Sequence, residues 1–211
     1  MLKRVDVLNF RGLRNVSVDL EPLTVLAGPN SSGKSSFLAA LSPDQPKASD
    51  FWHHDWSTEV SLHLRGAGYN HAFSWRHPTP NTFVGNWGEK RPYAFQMLRL
   101  DVSAMREINQ AQPTSQLSSN GGSLASLIGS FKSGQRADLA AEVCSLIPVF
   151  RNVDHQLAGH GTISIQFQDR WNDQVWYSPG EVSDGTMLVT AFLALRYQQP
   201  LPTLIAIEEL E

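Results

Sequence analysis

Gly28-Pro29-Asn30-Ser31-Ser32-Gly33-Lys34-Ser35 fits the spacing G-x-x-x-x-G-K-[ST] without a substitution. Each fixed position has a chemical reason. The glycines let the backbone curl so that successive N–H groups face a β-phosphate. Lys34 brings positive charge to the β/γ oxygens, and the Ser35 hydroxyl can ligate magnesium. An ordinary glycine turn can match so short a pattern by chance, so the flanking sequence decides. Upstream, Leu23-Thr24-Val25-Leu26-Ala27 has the character of a buried parallel strand. Downstream, Ser36-Phe37-Leu38-Ala39-Ala40-Leu41 predicts a helix stopped by Pro43, with its dipole aimed at the loop. Strand, glycine loop and helix in that order predict an α/β domain that binds a nucleotide.

The bulk composition sets bounds on this reading. With 211 residues, 41% hydrophobic and 18% charged, the chain suits one sizeable globular domain and not a disordered one. Its formal charge of −3, with Lys and Arg scattered, argues against a general polyanion binder. A single cysteine, Cys144, cannot form an internal disulfide, and it falls on the apolar side of a predicted helix, as a buried core thiol does. Met1 to Asp6 carries charge where a signal peptide needs its apolar stretch, and no run of eighteen apolar residues occurs. The expectation is a cytoplasmic protein with no membrane partner.

Periodicity supplies the remaining elements. Leu2 to Phe10 and Val16 to Leu20 alternate apolar and polar residues, so the first thirty residues read as three strands leading into the loop. Glu59 to Arg65 points Val60, Leu62 and Leu64 inward, and Tyr69 to His77 is its predicted hairpin partner across Gly66-Ala67-Gly68. Residues 81–91 read as irregular, Tyr93 to Asp101 as a core strand, and Gln110 to Gly122 as a flexible polar loop. Leu124, Leu127, Ile128 and Phe131 recur at helical spacing. So do Leu139, Val143, Leu146, Ile147 and Phe150, giving two amphipathic helices split near Gly134. Thr162 to Gln168 and Gln174 to Ser178 return the chain to sheet, and Met187 to Tyr197 forms the last helix before Pro200.

Leu204-Ile205-Ala206-Ile207 is a continuous apolar run followed by Glu208-Glu209, the form of a buried parallel strand that delivers carboxylates at its C-terminal edge. A phosphate loop needs such a partner, because the metal takes a carboxylate in its outer shell and the attacking water needs a base. The competing reading is a pair of solvated charges.

Ser178-Pro179-Gly180-Glu181-Val182-Ser183-Asp184-Gly185-Thr186 precedes these acids, and Ser183-Asp184-Gly185 opens the final helix. The segment resembles the signature motif of ABC-class ATPases, in the S-D-G-T form of the RecF-like and OLD-like ATPases of the AAA family. Leu8-Asn9-Phe10-Arg11-Gly12 and Gly28-Pro29-Asn30 resemble the opening strand and loop of the same group. The resemblance implies an ABC-type ATPase head over residues 1–211, with a mixed β-sheet, an antiparallel β layer and a helical subdomain. Residues 1–45 would hold the N-terminal strands and loop helix, 46–110 the antiparallel region, 111–160 the helical subdomain, and 161–211 the signature helix and Walker B strand. It implies ATP and Mg2+ as cofactors: Asn30, Ser31, Ser32, Gly33, Lys34, Ser35 and Ser36 on the phosphates, Ser35 and Glu208 at the metal, and Glu209 with Lys34 as the catalytic pair. Ser183 and Gly185 would contact the γ-phosphate held by a second copy, in a homodimer closed around ATP. Arg11 is expected near the phosphates or simply at the surface.

Three departures accompany the resemblance. Glu208 stands where the family's metal-binding strand carries Asp, one methylene shorter. Gln96 is a weak match to the glutamine loop, an ordinary strand residue being the plainer reading. The sequence also stops at Glu211, ahead of the family's D-loop and switch histidine, so the expectation is a C-terminally incomplete head that binds ATP better than it hydrolyses it. No N-K-x-D motif and no arginine-rich lid point to a GTPase or small-molecule kinase. His53-His54-Asp55 has metal-ligand residue types, but no second cluster accompanies it. Two functions follow: an ATPase head in DNA repair or phage defence, or a nucleotide-gated module that holds DNA or a nuclease-type effector with little turnover.

Overall fold

The structure is a computed structural model that describes residues 2–42, 50, 58–67, 69–79, 82–85 and 93–208. It is a mixed α/β chain in two compact units, residues 1–95 and 96–211. The first unit is built on β1 (Leu2–Phe10), β2 (Leu13–Asp19), α1 (Lys34–Ala40), β3 (Val60–Gly66), β4 (Tyr69–Thr79) and β5 (Thr82–Gly85). The strands form one antiparallel sheet in the order β2-β1-β3-β4-β5. Strict alternation puts Val60, Leu62 and Leu64 on the covered face, each fully buried, and such burial is worth about 1.5–3 kcal/mol per side chain. In β1 the alternation breaks twice. The register shifts between Leu2 and Arg4, and Asn9 takes a left-handed φ of 55°, so the buried set is Leu2, Val5, Val7 and Phe10. Phe37 and Ala40 of α1 are also buried.

The second unit contains β6 (Phe95–Leu98, starting at the unit boundary), α2 (Val102–Met105), β7 (Asn109–Gln110), α3 (Leu124–Ser130) and α4 (Ser133–Leu146). After them come β8 (Phe150–Gly159), β9 (Thr162–Asp169), β10 (Trp176–Tyr177), α5 (Asp184–Ala194) and β11 (Leu204–Ile207). Central β9 pairs antiparallel with β8, β10 and β7, while β11 pairs with β6 in a separate two-stranded sheet. The tight β8–β9 turn is made by His160 and Gly161, both at positive φ, the geometry a two-residue hairpin demands. One apolar core gathers Leu124, Leu127 and Ile128 of α3, Leu139 and Val143 of α4, Ile163, Ile165 and Phe167 of β9, and Met187 and Ala191 of α5. Among the described residues no helix is long and apolar enough to cross a membrane.

Four sequence expectations are corrected. Leu23 to Ala27 is not a buried strand: Leu23 and Val25 are 83% and 78% exposed, and no described residue pairs with this stretch. The Thr24 hydroxyl instead accepts from Glu21 N–H at 2.9 Å, a local turn that competes with extended pairing. Two strands, not three, therefore precede the loop. The second amphipathic helix stops at Leu146, which is 62% exposed, and Phe150 packs from β8. The helices separate at Phe131 and Lys132, leaving Gly134 inside the first turn of α4. Residues 82–85, read as irregular, pair as β5.

Candidate functional site

The phosphate-loop residues lie in the first unit, between residue 28 and α1. Lys34 Nζ donates to the carbonyls of Gly28 and Pro29, each at 2.8 Å, and closes the loop on itself. An ammonium has three donors, so one remains for an outside oxygen. Gly33 sits at φ 93°, and a Cβ there would stand 2.7 Å from Leu13 Cδ2; a Cβ on Gly28 would stand 2.9 Å from Ser32 Oγ. Gly33 is favoured as glycine by its left-handed φ, while at both places a Cβ would push aside the end of a neighbouring side chain. Ser31 is also left-handed, with φ 62°. No side chain caps the start of α1, so its first N–H groups are not engaged by a cap. Asn30, Ser31, Ser32 and Ser35 are exposed, while Gly33, Lys34 and Ser36 are half-buried. This donor set suits a triphosphate, with the Ser35 hydroxyl suited to a hard cation.

Arg11 lies in the turn between β1 and β2 of the same unit and has a structural partner. Its Nε donates to Asp50 Oδ1 at 2.7 Å, its backbone N–H donates to the Asp50 carbonyl, and its guanidinium lies 5.3 Å from the Phe10 ring centre.

The remaining candidates fall in the second unit. Ser178 and Glu181 cap a short 3-10 turn, Pro179–Glu181, by a reciprocal capping box. Ser183 then caps α5, its Oγ accepting from Thr186 N–H at 3.2 Å and meeting the Thr186 hydroxyl at 2.9 Å. Ser183, Asp184 and Gly185 are exposed at this helix start. Arg106, which no sequence signal singled out, fastens the whole segment. Nε donates to the Pro179 carbonyl at 3.0 Å, and Nη2 donates to the Val182 carbonyl at 2.8 Å and pairs with Asp184 Oδ1 at 2.7 Å.

Glu208 is not a solvated charge. It is buried, its N–H donates to the Leu98 carbonyl at 2.9 Å, and Nε and Nη2 of Arg99 both approach its Oε2 to 2.6 Å. Glu209 and His53-His54-Asp55 lie outside the described residues, among which no group of three metal-ligating side chains occurs. Gln96 has a structural role: its amide exchanges hydrogen bonds with that of fully buried Gln198 and donates to the Leu117 carbonyl. The polar stretch 110–122 has little regular structure but is held by bonds such as the reciprocal Ser118–Ser123 pair. Cys144 is half-buried, and burial raises its thiol pKa, which keeps it neutral.

The AAA ATPase domain family matches residues 1–47, the segment that holds β1, β2, the loop and α1. The chain is also similar to the OLD nuclease of Thermus scotoductus, 49% identical over 41 residues, and to the uncharacterized protein YbjD of Escherichia coli K12, 43% identical over 53 residues. These alignments cover 19% and 25% of the chain but only 8% and 10% of the two relatives. What these matches show is an N-terminal segment similar to an AAA ATPase domain.

Proposed function

We propose that this chain is an ABC-class ATPase head that binds ATP with Mg2+, dimerises around the nucleotide and serves DNA repair or phage defence. The observation that carries the reading is the phosphate loop itself: a left-handed glycine at Gly33, a lysine with one spare donor and a free serine hydroxyl, within the segment matched by the AAA ATPase domain. When bound, ATP supplies the phosphoryl group to be cleaved and Mg2+ the charge that neutralises its oxygens. Lys34 would offer its third N–H to a β/γ oxygen, and Ser35 would offer its hydroxyl to the metal. Glu208 would belong to the metal's outer shell, and Glu209 would accept the proton of the attacking water. Ser183 and Gly185 of a second copy would contact the γ-phosphate. The Ser183 oxygen serves its own helix as the cap, which leaves its O–H free to face outward when the Thr186 hydroxyl is the donor between them.

The similarity to a protein named OLD nuclease supports a DNA-directed assembly with a nuclease-type effector. ATP binding and steady-state turnover measured over a range of protein concentration, with Lys34→Ala as control, test the proposal. Turnover per chain should rise with concentration and vanish in the variant. Turnover independent of concentration overturns the composite site, and binding without turnover selects the gated module.

A further inference from the structure

A cleft of about 270 Å³ opens at one end of the β8–β9 sheet. Its walls come from two chain segments that meet there, because Arg170 N–H donates to the Val149 carbonyl. Trp171 and Val149 line it while 77% and 44% exposed, and Tyr177 lies edge-on to Phe150 with ring centres 6.1 Å apart. Two carboxylates complete the lining. Asp169 accepts from the N–H groups of Trp171 and Asn172 and from the Tyr177 hydroxyl. Glu181 accepts the Ser178 N–H and hydroxyl through Oε2 alone, leaving Oε1 to the outside. Both are held below the ordinary carboxylate range by these bonds, led by the Asn172 N–H for Asp169 and the Ser178 N–H for Glu181. Among the described residues neither has a cationic partner, and the nearby Arg170 guanidinium donates to the Pro148 carbonyl.

Exposed aromatic surface beside two carboxylates that form no ion pair is complementary to one group above others, a guanidinium, which stacks on an indole face and forks onto carboxylate oxygens. It repels nucleic acid phosphates. We propose that this cleft docks an arginine side chain presented by a partner polypeptide. Glu181 belongs to the Pro179–Glu181 turn that leads into Ser183, so the docked arginine sits on the turn just ahead of the α5 cap. All of its lining residues lie in the second unit and none belongs to the phosphate loop.

The test uses the full chain without nucleotide and the blocked peptide acetyl-Gly-Arg-Gly-amide, followed by the NMR signal of the Trp171 indole N–H, which is assigned by its loss in Trp171→Phe. The expected result is a saturable shift that is unchanged in Lys34→Ala and absent when citrulline replaces arginine. Glu181→Gln should weaken it about threefold, and Trp171→Ala, a change at an exposed position that leaves the fold intact, should cost the peptide a similar factor in affinity by calorimetry. No saturable shift, an equal shift with citrulline, or a shift with oligothymidylate overturns the proposal. A shift that grows with protein concentration alone seats a second copy in the cleft and overturns it as well.

Discussion

Arg106 Nη2 lies 2.7 Å from Asp184 Oδ1, which joins α2 to the start of α5 across 78 intervening sequence steps, while the same guanidinium holds the carbonyls of Pro179 and Val182. Asp184 is 70% exposed, so the ion pair itself adds little; the two carbonyl bonds, made by a side chain only 28% exposed, matter more. Arg106→Gln should therefore lower stability by about 1–2 kcal/mol in urea melts. Under the proposed reading it should also reduce turnover more than ATP affinity, because the phosphate loop is untouched. Asp184→Asn should be nearly neutral for stability.

Gly33 combines a left-handed φ with a Cβ position 2.7 Å from Leu13 Cδ2. Gly33→Ala should cost about 1–3 kcal/mol and abolish nucleotide binding together. Adding Leu13→Ala removes the clash but not the backbone strain, so binding should stay lost. Lys34→Ala should lose binding with a near-native melting temperature, and calorimetry on the three variants separates the effects.

Gln198 is fully buried and its Oε1 accepts from Leu117 N–H at 2.6 Å. Gln198→Leu strands that N–H and the Gln96 Oε1, a loss of about 1–3 kcal/mol. Gln96→Leu should cost less, because Gln96 is only part-buried and the Leu117 N–H keeps its bond to Gln198, although the Leu117 carbonyl loses the Gln96 donor. Denaturant midpoints of both single variants and the double variant give the coupling directly.

Glu181 sets an acid limit on the turn before Ser183. Its folded carboxyl is lowered by the Ser178 N–H bond, so its contribution to stability is present above its unfolded pKa and is lost as pH falls through the lower folded value. Asp169 acts with the same sign. Melting temperature should hold at neutral pH and fall below the ordinary carboxylate range of about 4. Glu181→Gln should flatten that acid limb.

Local pattern made part of this molecule readable and left the rest hidden. Val60, Leu62 and Leu64 alternate because one face of β3 is buried, and Ser183 reads as a cap because its partner Thr186 is three residues away. Leu23 to Ala27 has the same apolar composition as a core strand, yet composition carries no information about whether a pairing edge is present, and here the stretch turns on Glu21 and Thr24. Arg106, Arg99 and Gln198 act on groups 73 to 109 positions away, and an isolated Arg or Gln gives no local sign of that. The loop is legible as a local unit because Lys34 closes on the Gly28 and Pro29 carbonyls within a few positions.

Arg99 and Glu208 form an ion pair whose two members are unequally exposed. The Glu208 side chain is 9% exposed and that of Arg99 61%, so the carboxylate bears most of the desolvation while the cation remains in contact with water. Arg99→Ala deprives a buried charge of this partner and should destabilise by about 1–2 kcal/mol, the exposed arginine keeping the value below that of a fully buried pair. Glu208→Gln keeps the shape and the backbone bond to Leu98 while removing the charge, so its melt should move less. If Glu208 orders the metal's outer shell, the activities must rank the other way: Glu208→Gln should lose Mg2+-dependent turnover and Arg99→Ala should retain it. Urea melts paired with turnover across a Mg2+ titration measure both rankings, and an active Glu208→Gln enzyme would remove this residue from the metal site.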